Sequence, residues 1–335
     1  MSSCVACAQL QVLDHTAFET LAPEWDALLQ RSYDNRIFLS PTWFNIWWRH
    51  FGDGNARIVT LRDGDGALVG LLPLQLTDGV LGLVGDYNVA DYMDGIALKH
   101  RARDLHVAMW SHVFDELAFD AISLHHVPSA SPLLPALQEV AGTRGMTLGI
   151  IDEEVCPVAI LCSNWEGYLQ MLTKKQRHEI RRKLRRAQDG VEWEWRTAST
   201  EDDLAVDLPI FFRLHEASAS DKGRFMTPRM QTFFEDLASR LLADGILRLS
   251  IFSREGRDIA TSMAFFYRGR YMLYNSGYDP DRAQYSPGIA AVALAMQDAI
   301  AHKAVAFDFL SGGEAYKYQF GATNTYTSRV HLPGS

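Results

Sequence analysis

The chain has 335 residues, 47% of them apolar and 22% charged, with a formal net charge of −9. These figures exclude a disordered or fibrous chain, allow one large or two ordinary domains, and count against a whole-surface nucleic-acid binder, which is more often basic. No apolar stretch reaches the ~18–20 residues of a membrane span, and the first residues lack a basic region followed by a long apolar run, so a cytoplasmic protein without a membrane span is expected.

Near the start, Cys4 and Cys7 have CxxC spacing, while Cys156 and Cys162 are spaced differently. A zinc site and reduced thiols without a role are the two readings, and no metal is expected. Helical periodicity follows in "FETLAPEWDALLQRS" and "PTWFNIWWRHFG", where Trp43, Phe44, Trp47 and Trp48 read as core. Three strands come next, "ARIVTLR", "ALVGLLPLQL" and "VLGLVG", separated by the turns "DGDG" and "TDG". The loop "DYNVADYMDGIALKH" carries Asp86, Asp91 and Asp94 with Tyr87 and Tyr92. Such side chains suit a sugar or a cationic amine, and turn-forming aspartates are the alternative. A helix from about Ala102 to Leu117 and the strand "DAISLHHV" complete the first half, with His125 and His126 read as chance neighbours.

The junction "NWEGYLQMLTKKQRHEIRRKLRRAQDG" places Tyr168, Leu169, Leu172, Ile180 and Leu184 on one helix face. Lys174 to Arg186 hold eight lysines and arginines against one acid. This is either a solvated helix face, with its cations favoured by the macrodipole at the C-terminus, or a contact for phosphate.

The second half repeats the order of the first. Helices in "DLPIFFRLHEASA" and "PRMQTFFEDLASRLLAD" precede the strands "GILRLSIFS", "DIATSMAFFY" and "YMLYNSGY". A helix over Pro287–His302 and the short strand "AVAFDFL" follow. A helix between two strands makes a right-handed crossover onto a parallel neighbour, so each half is expected to be α/β with a mixed, mostly antiparallel sheet flanked by helices.

Ser286, followed by Pro287 at the first helical position, is expected to cap this last helix. Gly288 removes the Cβ that would hold a phosphate off the unpaired N–H groups at the helix start, where about half a positive charge resides. The first-half helix starts without a glycine, so a phosphorylated ligand is expected in the second half only. In "FDFLSGGEAYKYQFG", Asp308 lies inside an apolar strand, where an acid is costly unless paired. Gly312 and Gly313 permit a turn that leaves Glu314, Tyr316 and Lys317 beyond the strand's C-terminal end, where α/β sheets bind ligands. Glu314 or Asp308 suits a general base, and Lys317 suits a carboxylate or phosphate; a structural Asp308–Lys317 ion pair is the other reading.

The string "YNSGYDPDRAQYSPGIAAVALAMQDAIAHKAVAFDFLSGGEAYKYQFG" resembles the CelD/BcsL-type acetyltransferases of the GNAT superfamily, a subgroup tied to cellulose or exopolysaccharide biosynthesis. That subgroup is similar to the FemAB peptidyltransferases, which also carry two GNAT-like units. The resemblance is strongest over residues 247–321 and weaker at "SPTWFNIWWRHFG", "DYMDG" and "RHEIRRKLRRA". It departs from the family's Q/R-x-x-G-x-G/A signature, for which Arg282 to Gly288 here read RAQYSPG.

The resemblance implies tandem GNAT-like units: an acceptor-side unit with a degenerate donor site over 1–150, a basic connector over 151–190, and a donor-binding unit over 191–335. It implies an acyltransferase that passes an acyl group from acetyl-CoA or another acyl-CoA to an amine or hydroxyl of a small-molecule or glycan-precursor acceptor. Ser276, Gly277, Ser286, Pro287, Gly288 and Ile289 would hold the donor. Tyr278 and Tyr285, as weak acids, would protonate the leaving thiolate, and Glu314 or Asp308 would act as base. Lys317, Tyr316, Asp91, Tyr92 and Asp94 would meet the acceptor. Transfer of an amino acid from tRNA, as in the FemAB relatives, and a non-catalytic ligand-binding module are the alternatives.

Overall fold

The computed structural model describes residues 9–85, 88–218 and 225–333. Cys4, Cys7, Asp86 and Tyr87 lie outside them. The chain divides into two compact units, one drawn from Met1–Glu154 and Tyr326–Ser335, the other from Val155–Thr325. The boundaries read from sequence, 1–150, 151–190 and 191–335, differ because the basic connector packs into the second unit and the last strand returns to the first.

Unit 1 runs β1 (Gln9–Leu13), α1 (Ala17–Thr20), α2 (Ala22–Leu29), α3 (Pro41–Phe51), β2 (Ala56–Arg62), β3 (Leu68–Thr77), β4 (Val80–Leu83), β5 (Ile96–Ala97), α4 (Ala102–Glu116), β6 (Ala121–Pro128), α5 (Leu133–Thr143) and the first half of β7 (Gly149–Ile160). Strands β1 to β4 are antiparallel neighbours in order, and β6 joins β4 in parallel. Ser40 explains why α3 begins where it does: its Oγ accepts Trp43 N (3.2 Å), with Pro41 at the first helical position. Trp43, Phe44 and Trp47 are buried as expected, and Trp25 donates its indole N–H to Leu39 O (2.9 Å).

Unit 2 continues with α6 (Trp165–Met171), α7 (Lys174–Gln188), β8 (Trp193–Thr197), α8 (Glu201–Ser218), α9 (Pro228–Ala243), β9 (Leu247–Arg254), β10 (Arg257–Tyr267), β11 (Arg270–Tyr278), a 3-10 turn at Pro280–Tyr285, α10 (Pro287–Ala301), β12 (Ala306–Asp308), α11 (Ala315–Gln319) and the start of β13 (Thr323–Leu332). Its sheet order is the end of β7, then β12, β11, β10, β9 and β8, all antiparallel except the β11–β12 pair. The end of β13 pairs antiparallel with β6 in unit 1. The junction, expected as one helical run, breaks at Thr173, whose side chain and that of Gln176 form a reciprocal capping box that restarts the helix as α7.

Helix α10 is apolar nearly all round, including Ala290, Ala291, Ala293, Ala295 and Ala299, because both sides are covered. It packs on β9, β10 and β11 and carries α7 on its outer side, through Ile180, Leu184 and Ala187. Helices α8 and α9 take the opposite face of the sheet. Where β10 meets β11 the register slips, so Tyr274 is an extra residue between Leu273 and Asn275. At this bulge Tyr274 packs on Phe234 of α9 and Asn275 Oδ1 meets His215 Nε2 of α8 (3.1 Å), so two consecutive side chains face the same helix layer.

Gly277 lies where that layer comes closest. A Cβ there would sit 2.5 Å from backbone atoms of Leu214 and His215. Gly277→Ala is expected to cost about 1–3 kcal/mol, because α8 backbone rather than a flexible side chain must move. A lowered midpoint in urea unfolding checks this; an unchanged midpoint refutes the close approach.

Candidate functional site

The parallel pair β11–β12 is short. Only Arg270–Ala306, Tyr271–Phe307 and Met272–Asp308 are in register. Beyond Met272, β11 runs on to Tyr278 with no strand along that edge among the described residues. The two chains therefore part, and the helix that follows β11 begins beside the opening. Its first turn is the second element of the site.

Ser286 stands at the N-cap position but in the left-handed region (φ 56°, ψ 45°), and its side chain accepts no capping bond. The expected cap is thus absent, because a side-chain cap needs extended backbone at that residue to reach the second or third N–H. Ala290 N bonds Ser286 O (3.1 Å), while the N–H groups of Gly288 and Ile289 have no acceptor among the described residues. These are the donors a helix tip offers an anion. The space a Cβ on Gly288 would fill is bordered by the Tyr278 ring, 3.2 Å away. Gly288 therefore lets the end of β11 lie against the helix start. Pro287 is buried, and Ile289 and Ser276 are partly buried. Gly277 turns its bare face to α8. Tyr285, partly buried, lies under the Arg254 guanidinium, 4.0 Å from the ring centroid.

At the other end of the opening stands a polar knot. Asp308 is fully buried, and its Oδ1 accepts Leu310 N (3.0 Å). Lys317, 2% exposed, donates to Ser311 O (2.7 Å), Gly312 O (2.8 Å) and Leu310 O (3.4 Å) and pairs with Glu314 Oε2 (2.9 Å). The ion pair of Lys317 is therefore with Glu314, not Asp308, and the lysine clamps the turn after β12. Gly312 has φ 103°, and a Cβ there would meet the Glu314 carboxylate at 2.6 Å. Glu314 is exposed. Tyr316 packs edge-on against Phe309 and is held protonated, its pKa raised by burial and by the nearby Glu314.

Unit 1 repeats this plan with a different filling. There β4 and β6 share only Val80–Ala121 and Leu81–Ile122. Met93 N donates to His126 O (3.0 Å), and the His126 ring bonds Ala90 O (3.0 Å), so residues 90–93 lie along the end of β6. The acidic loop is folded inward: Tyr92 and Asp94 are buried, Asp91 is partly exposed, and the Arg36 guanidinium lies 3.5 Å from the Tyr92 ring centroid. Neither Tyr92 nor Asp94 presents a surface to an acceptor. His125, read as a chance neighbour, bonds Ser123 and Glu153.

The sequence of residues 174–318 matches the family model described as an acetyltransferase (GNAT) domain. No curated protein sequence matches the chain. Among solved structures, FemX is similar over 93% of this chain and 96% of its own, at 12% identity and a TM-score of 0.68. The C-terminal domain of a putative lysylphosphatidylglycerol synthetase from Agrobacterium fabrum is similar over 94% of this chain and 92% of its own, at 11% identity and a TM-score of 0.57. A conserved protein of unknown function from Bacteroides thetaiotaomicron covers 97% and is itself covered completely, at 11% identity and a TM-score of 0.58. These likenesses are of fold. Within the matched residues, the strand opening and helix tip lie in β11, α10 and β12. Among the described residues no cluster of His, Cys, Asp and Glu could hold a metal, and no helix is long and apolar enough to cross a membrane.

Sequence reasoning missed His215 and Asn275, which it left in an ordinary helix and strand, and the arginines around Tyr285. Nothing in local spacing signals either group, since each is gathered from separate elements.

Asp94 gives a test of the buried loop in unit 1. Burial pushes its pKa from 3.8 up to about 8, with Asp34 adding to the rise and bonds from Ser131 Oγ (2.9 Å) and Gly95 N (2.8 Å) opposing it. The folded state then binds a proton the unfolded state has lost, so stability falls as pH rises from about 4 to about 8 and levels off above. Asp94→Asn removes that slope and gains on the wild type by up to several kcal/mol between pH 4 and pH 8.5. Urea unfolding at both pH values checks it, and parallel pH profiles for the two proteins refute it.

Proposed function

We propose that the chain is an acyl-CoA-dependent N- or O-acyltransferase, with donor binding in the GNAT domain of unit 2. One observation carries the proposal: the parallel strands part after three residues, next to a helix tip whose Gly288 and Ile289 amides lack acceptors. A diphosphate suits the tip, where N–H groups and the helix dipole both favour negative charge. The uncovered edge of β11 suits an amide-bearing arm that adds itself as an extra strand.

In this arrangement the donor's thioester lies at the closed end of the opening, near Met272 and Asp308. The acceptor's amine or hydroxyl attacks the thioester carbonyl, a C–N or C–O bond forms, the C–S bond breaks, and the thiolate leaves. Tyr278 and Tyr285 flank the phosphate end and serve there as packing and binding groups. Tyr316, neutral and next to Phe309, is placed to donate a hydrogen bond to the departing sulfur, and the proton that Glu314 takes from the acceptor passes on to the thiolate. Glu314, exposed and oriented by Lys317, is the base that takes the acceptor's proton; Asp308, committed to Leu310 N, holds the strand end. Ser276, Gly277 and Pro287 shape the donor cleft without charged contact. The resemblance to the CelD/BcsL subgroup suggests a glycan-precursor acceptor in polysaccharide or envelope synthesis.

A second reading is aminoacyl transfer from tRNA. The FemAB resemblance and the cationic α7 favour it, and the fold likeness to FemX is consistent with it. Calorimetry separates the two: acetyl-CoA binding supports the first, and binding of charged tRNA alone supports the second. Gly288→Leu is expected to weaken acetyl-CoA by at least about tenfold by blocking the tip. Tyr316→Phe is expected to leave affinity unchanged and to slow thiol release about a hundredfold. Absence of acetyl-CoA binding, with melting temperatures intact, sinks the proposal.

A further inference from the structure

Beside the tip of α10 lies a pocket of about 290 Å³ lined by Arg254, Glu255, Arg257, Ile259, Arg282 and Tyr285. Three guanidinium groups face one carboxylate. Arg254 is already engaged: its Nε donates to Ala187 O (3.1 Å), it pairs with Glu255 (3.0 Å), and its face covers Tyr285. Arg257 and Arg282 have no acidic partner among the described residues. They come from different elements, the β9–β10 hairpin and the 3-10 turn, and converge only through the fold. Arg186 of α7 reaches the same turn, at Gln284 O (3.5 Å).

Tyr285, which lines the pocket, immediately precedes Ser286, and chain length holds its Cα within about 11 Å of the Gly288 Cα. A diphosphate at the tip and a second phosphate in the pocket therefore fall within the span of one nucleotide. Two forked guanidinium groups suit a dianionic phosphate monoester, with paired N–H donors on its oxygens. Resting on the acyl-CoA reading above, we infer that Arg257 and Arg282 bind the 3′-phosphate on the donor's ribose. The protein then selects a nucleotide-bearing thioester over the same pantetheine arm on a carrier protein, which lacks that phosphate.

Calorimetry with CoA, dephospho-CoA and adenosine 3′,5′-bisphosphate tests this on the full chain. The wild type is expected to bind CoA at least about tenfold more tightly than dephospho-CoA, and the bisphosphate is expected to compete. Arg257→Gln with Arg282→Gln should weaken CoA to the level of dephospho-CoA and leave dephospho-CoA unchanged. Glu255→Gln should tighten CoA severalfold and not dephospho-CoA, a gain that a misfolded variant cannot mimic. Equal, measurable affinity for the two forms of CoA overturns the inference while the donor reading stands. Equal weakening of both by the double variant overturns it too. Binding of neither overturns both.

Discussion

A parallel strand pair that stops after three residues is the constraint on which unit 2 is built. Every backbone group past Met272 and Asp308 that loses its ladder partner must find another or face an opening. On the β12 side the replacements are internal. Asp308 takes Leu310 N, and Lys317 takes the carbonyls of residues 310–312. Each such bond contributes roughly 1 kcal/mol net, and each left unmade in a buried place costs about 1–3 kcal/mol. A buried lysine is tolerated there because its three hydrogens meet three carbonyls and its charge meets Glu314. On the β11 side the edge stays open for a partner that is not part of the chain.

The two units solve the same geometric problem in different ways. Each has a meander, a crossover helix and a parallel strand, and each has a left-handed residue in or just past that strand: His126, within β6, at φ 51°, and Leu310, two residues past β12, at φ 56°. Non-glycine residues rarely hold that conformation, and in both units it follows the last parallel pair. In unit 1 the chain's own residues 90–93 lie along that end. In unit 2 the turn is drawn back onto Lys317 instead. A shared scaffold thus carries one filled and one open version of the same gap.

Net charge describes this protein poorly at the scale of its sites. The total is −9, yet α7 and the pocket by Tyr285 are cationic. Over distances beyond a Debye length of about 8 Å, solvent screens the acidic remainder, so an anion at the α10 tip responds mainly to the arginines and helix dipole beside it. Much of α7 is internally neutralised: Arg182 and Lys183 share Glu179, and Arg181 pairs with Glu166. Arg257 on the hairpin and Arg282 on the 3-10 turn have no acidic partner among the described residues, and Arg186 at the end of α7 reaches that same turn at Gln284 O.

Periodicity and turn residues by themselves determined the order of elements. Strands β2, β3, β4, β9, β10 and β11 and helices α3, α4, α9 and α10 fall within a few residues of the segments that alternation and helical spacing mark, because those patterns are set by which face each residue buries. Strands β1, β7, β8 and β13 and helix α5 carry weaker local patterns and were not legible. Their pairing comes from segments far apart in the chain, as when β13 returns to β6. The helix tip was legible as Ser-Pro-Gly, but the tertiary structure decided what the glycine does, since only packing brings Tyr278 against Gly288. It also decided which charge meets Lys317, and it buried Tyr92 and Asp94 in a loop that looked solvent-facing. Local chemistry specifies what a residue can do; the partner it does it with depends on closing long loops, and one sequence read in a line does not contain those distances.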